Sequence, residues 1–162
     1  MRYAALTDMT ARYGERELIQ LTDPDNLAID VARVELKLDD AQAVVDASVG
    51  RVYRLPLRGC ARPATAPGAE VTYEVPPQLK RIACDLARYY LYDEAAPEEE
   101  IYRRFKAAKA ELEAIATGDA VLACPWGGSA GELVGADSQS GAEVHFRFSP
   151  RQITDISVED YR

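Results

Sequence analysis

The chain has one histidine, one tryptophan and three cysteines among 162 residues, and each scarcity removes a class of function. His145 is the only candidate base for a Ser-His-Asp triad, and it sits in the alternating stretch VHFRF, where an outward, solvated imidazole is the simpler reading. Cys60, Cys84 and Cys124 are odd in number, far apart and without a Cys-x-x-Cys pair, which predicts free thiols in a reducing compartment. With a single histidine they also fail to supply the four close-spaced ligands of structural zinc. Cys84, in the run Ile82-Ala83-Cys84-Asp85-Leu86, reads as a small buried hydrophobe rather than a nucleophile. The Gly-rich run CPWGGSAG lacks the lysine and Ser/Thr of a phosphate loop, and EAAPEEE lacks the alternating oxygen ligands and turn glycine of a calcium loop. No catalytic, cofactor-binding or metal-binding residue is therefore assigned, and the expectation is a protein that is not an enzyme.

Positive charge is also short. The net charge of −8 disfavours a phosphate-neutralising nucleic-acid binder. No apolar run approaches the roughly 20 residues that cross a bilayer, and MRYAALTDMT has no apolar signal core, so no membrane role and synthesis in the cytoplasm are expected.

What the chain does have is helical periodicity. Thr7 is placed as an N-cap for TDMTARYG, ended by Gly14, and ERELIQLTD makes a second short helix stopped at Asp23 and Pro24. From Ile29 or Asp30 to about Tyr53, Val31, Val34, Leu38, Ala41, Val45, Ser48 or Val49, and Val52 recur at threes and fours, predicting one long amphipathic helix. Residues 58–76, rich in Pro and Gly, read as a long loop holding a short strand around Val71, Tyr73 and Val75. Pro77 opens a helix to about Glu94, and Pro97 opens another whose stripe is Ile101, Phe105, Ala108, Leu112 and Ile115, stopped by Gly118. Residues 119–143 have linker composition, and Val144, Phe146 and Phe148 alternate like a strand. The fold class is mainly α: a small helical bundle over 1–118, then a Gly/Ser-rich linker and an extended, β-like tail over 119–162.

Within the helix from Pro77, Arg81, Asp85, Arg88 and Tyr92 share the face opposite the apolar one, so Asp85 reads as a solvated charged rung between two arginines. Tyr89, Tyr90 and Tyr92 cannot all face one core, which points to packing between subunits. Trp126, beside Pro125 on a Gly-rich segment, is a candidate contact anchor, with folding back over the core as the other reading.

Three segments resemble the phage Mu-type head and neck protein family: TDMTARYGERELIQLTD, DAQAVVDASVGRVYRLPL, and LKRIACDLARYYLY leading on to IATGDAVL. The resemblance covers about residues 3–122, and departs from the family pattern at Val49, Gly50 and Arg51 and in a longer 58–76 loop. It implies a virion protein near the head–tail junction, a connector subunit that assembles with itself as a ring on the portal and meets tail or neck proteins. DNA would pass through the ring without specific binding. The implied contact residues are Arg51, Tyr53, Leu55 and Leu57, joined by Tyr89, Tyr92 and Trp126 from the packing argument. The location implied is the virion, with the host cytoplasm during assembly. The alternative is a helical adaptor in the cytoplasm that binds one partner without forming rings.

Overall fold

The computed structural model describes residues 2–64, 66, 68–92 and 99–134. Five helices carry the fold: α1 (Leu6–Tyr13), α2 (Glu15–Thr22), α3 (Val31–Val49), α4 (Pro77–Leu91) and α5 (Glu100–Thr117). Two short strands, β1 (Cys60–Arg62) and β2 (Thr72–Glu74), pair antiparallel between α3 and α4 in the chain, with Ala61 opposite Tyr73.

The long helix is a product of its spacing. Val34, Leu38, Ala41, Val45 and Val49 are all buried, and they form the stripe on which α4 and α5 pack. Asp30 starts it, its carboxylate accepting from the Arg33 N–H at 3.1 Å. It stops at Val49, short of the expected Tyr53, and the chain turns so that Tyr53 and Leu57 still reach the core. Pro77 is the first residue of α4, where its missing N–H leaves no helical bond unmade. Gly118 caps α5 in the left-handed region at φ 83, as its place after the apolar stripe predicted.

The entrance differs in one detail. Ala5, not Thr7, is the N-cap of α1, and the Asp8 carboxylate reaches back to accept from the Ala5 N–H at 3.0 Å. Gly14, at φ 85, then serves both as the end of α1 and the start of α2. Asp23 organises the next loop, its carboxylate accepting from the N–H groups of Asp25, Leu27 and Ala28. Those bonds, Leu27's first, hold its carboxyl below the usual carboxylate range.

Residues 119–134, read in the sequence as the beginning of a linker, are packed onto the helical domain as a strap. Leu122 and Ala130 are buried, and the backbone is tied to the turn after α3 by Arg54 N–H to Glu132, Gly59 N–H to Ala130 and Val134 N–H to Val52. The glycines serve geometry rather than looseness. Gly127 and Gly128 take positive φ in a tight turn, and a Cβ on Gly131 would stand 2.7 Å from Leu57 Cδ1. The cysteine expectation is overturned here as well. Cys60 on β1 and Cys124 on the strap form a disulfide across a Cα separation of 5.3 Å, and only Cys84 is free. The strand expected over 144–148, and the remainder of the tail from 135, lie outside the described residues.

Candidate interaction surfaces

The α4 face read as solvated is covered. Asp85 is 6% exposed because Tyr13 of α1 lies over it, donating its hydroxyl to Oδ1 at 2.8 Å, while Arg81 reaches Oδ2 at 3.3 Å. Arg88 is not the second rung. It turns to α2, donating Nε to Glu17 at 2.6 Å with its guanidinium 4.5 Å over the Tyr13 ring. Arg81 continues to Glu111 of α5 at 2.5 Å, so one polar seam joins α1, α2, α4 and α5. Burial, then the hydrogen bond to Asp85, holds the Tyr13 phenol well above its ordinary value. Among the described residues, every buried side-chain nitrogen and oxygen has a hydrogen-bond partner. A seam so fully satisfied holds helices together. Cys84 beside it is fully buried, and burial pushes its thiol up to about 11, away from the thiolate that reacts.

The candidate contact residues separate into two groups. Tyr53 and Leu57 are buried in the chain's own core: the Tyr53 hydroxyl accepts from the Leu122 N–H at 3.0 Å, and Leu57 packs against Gly131. Tyr89 and Tyr92 are half-buried and already engaged, Tyr89 stacked on Phe105 at 3.8 Å and Tyr92 donating to Glu17 at 3.2 Å. Arg51, Leu55 and Trp126 stay exposed, Leu55 at 42% and Trp126 at 43%.

The last two belong to the end of the molecule formed by the hairpin and the strap. Arg58 donates to the Tyr73 hydroxyl and lies over its ring, and Arg62 pairs with Glu74 at 2.9 Å and sits 5.9 Å from the Trp126 ring. Val71 and Tyr73 of the hairpin and Leu133 and Val134 of the strap are exposed as well. Sequence reasoning missed Leu133 and Val134, whose signal was an apolar pair closing a Gly-rich stretch. Exposed aliphatic and aromatic side chains gathered on a cross-linked end are the usual mark of a protein contact.

These features define a class: a mainly α domain, sealed along its helical seam, with a disulfide-tied strap that carries apolar side chains into solvent. The chain belongs to the Bacteriophage Mu, Gp36 family, whose model matches residues 3–136. It is therefore a Mu-like phage protein. The match takes in the whole strap, which makes 119–134 part of the family unit and leaves only the tail beyond it. No curated protein matches the chain significantly.

Proposed function

We propose that the protein is a structural subunit of the virion, acting at the head–tail junction as a connector through protein packing and without a bond-making step. Membership of the Mu family makes it a phage protein. The observation that carries the finer reading is the exposure of Leu55, Trp126, Leu133 and Val134 at one braced end, an apolar surface that copies of the chain or neighbouring portal, neck and tail proteins would cover. Bracing matters mechanically. A contact surface fixed by a disulfide and backbone bonds loses little conformational entropy when it docks.

On this reading the acidic balance suits a ring through which DNA slides without sticking, with acids toward the lumen. The protein is made in the host cytoplasm and ends in the virion, so the disulfide would close as the particle meets an oxidising exterior. The test is deletion of the gene in its phage followed by imaging of the particles. Filled heads without tails are expected; particles of normal form and infectivity would refute the junction role. A ring map with a basic lumen would refute the sliding surface alone.

A further inference from the structure

Between them α3 and α5 leave a groove of about 570 Å³. Tyr102 and Phe105 line it as an aromatic surface, and Arg51, Lys106 and Lys109 bring three cations to it against the single carboxylate of Glu113. Lys109 lies 5.7 Å from the Phe105 ring, and among the described residues no carboxylate is within ion-pair distance of any of the three. Three cations gathered without a carboxylate partner among the described residues, on a chain of net charge −8, mark a surface that suits an acidic, apolar segment.

The described chain stops beside this groove. Val134 donates its N–H to the Val52 carbonyl at 2.8 Å, and the next residue back, Arg51, lines the groove. Residues 135–162 follow. Among them ITDISVEDY, 153–161, combines Ile153, Ile156, Val158 and Tyr161 with Asp155, Glu159 and Asp160 and contains no cation. The tail's other apolar stretch, VHFRF, has Arg147 and no acid, so the same groove would repel it. Reach is sufficient: a coil the length of residues 135–152 covers about 25 Å, and Arg51 to Val44 on α3 is about 10 Å.

We propose that residues 153–161 dock in the α3–α5 groove of their own chain, apolar side chains on Tyr102 and Phe105 and the three acids against Arg51, Lys106 and Lys109. This stands independently of the connector reading. The test is hydrogen exchange on the full-length protein against a free peptide of sequence 153–161. Tail amides are expected to exchange about tenfold or more slowly in the protein. Asp155→Lys with Glu159→Lys and Asp160→Lys, changes that leave the helical domain untouched, should return them to the peptide rate. Adding Lys106→Glu and Lys109→Glu should restore the protection. Peptide-like exchange in the unaltered protein, or protection that survives the tail changes, would overturn the proposal. Zero-length carbodiimide cross-linking of mixed isotope-labelled and unlabelled copies identifies the occupant. Links from Lys106 or Lys109 to 155–160 within one copy are expected; links only between copies, or only to the acids of 93–100, would overturn it.

Discussion

The α1–α2–α4 seam and the hairpin–strap end handle side chains in opposite ways. Along the seam every buried polar group finds a partner, and even Asp85 is enclosed by Tyr13 and Arg81. At the other end Leu55, Trp126, Leu133 and Val134 face water, although the backbone beneath them is tied down by a disulfide and four long-range hydrogen bonds. A fold that spends cross-links on an exposed apolar end is holding that end in shape for something else. Rigidity without burial separates a contact surface from a core.

The largest expected effect removes the brace. Cys124→Ser opens a cross-link between residues 64 apart and should lower stability by about 2–4 kcal/mol, the usual worth of a disulfide, read by urea unfolding. Reductant should weaken the unaltered protein by a similar amount and leave the variant unchanged. Native-state thiol labelling should find neither Cys60 nor Cys124, and should find Cys84 only after unfolding, since its thiol is buried and raised to about 11. If reductant shifts both proteins equally, the brace is not the disulfide.

Next comes the seam. Asp85→Ala leaves the Tyr13 hydroxyl and Arg81 without their buried acceptor and should cost about 1–3 kcal/mol. A change below about 0.5 kcal/mol, the range of ordinary surface substitutions, would mean the site is as solvated as its sequence neighbours suggest.

These two regions also mark where the sequence could be read. The helices were legible because their signal is local: threes and fours along α3, a proline at the start of α4, a glycine after α5. Asp85 misled because its partner Tyr13 is 72 residues away, and helical spacing alone offered it two arginines. The cysteines misled because pairing is a property of the fold, and an odd count hid one pair beside a buried thiol. The strap misled because glycine is ambiguous. The composition that makes a linker also makes the turn at Gly127 and Gly128 and the close approach at Gly131. Of the contact candidates, the chain's own interior claimed Tyr53 and Leu57, because the residues after α3 turn inward to meet the strap.

Alkaline pH should weaken the buried phenols before the strap. Tyr3, which donates to Asp46 at 2.6 Å, is held above its ordinary value by burial first and by that carboxylate second, and Tyr13 is held likewise by burial and Asp85. A raised folded value means the unfolded chain loses its proton first, so this stability is complete below about pH 10 and declines as pH rises toward the folded values. By about pH 11 the loss should be on the order of 1 kcal/mol for Tyr3, seen as earlier unfolding in urea. Tyr3→Phe with Tyr13→Phe should flatten that decline; an unchanged slope would place the alkaline sensitivity elsewhere.

The smallest effect on stability is the sharpest test of the comparison. Leu55→Ser and Trp126→Ala alter side chains about two-fifths exposed, so each should move the unfolding free energy by no more than about 0.5 kcal/mol. If the braced end is a contact surface, the same changes should nonetheless block incorporation into particles, because exposed aromatic and aliphatic anchors carry a disproportionate share of interface energy. Particle content, measured by mass spectrometry of purified virions, separates the two properties. Variants that fold normally yet are missing from particles would show that this end is built for a neighbour. Normal incorporation would reduce Leu55 and Trp126 to ordinary exposed side chains and shift attention to the exposed Leu27, Val31 and Leu36.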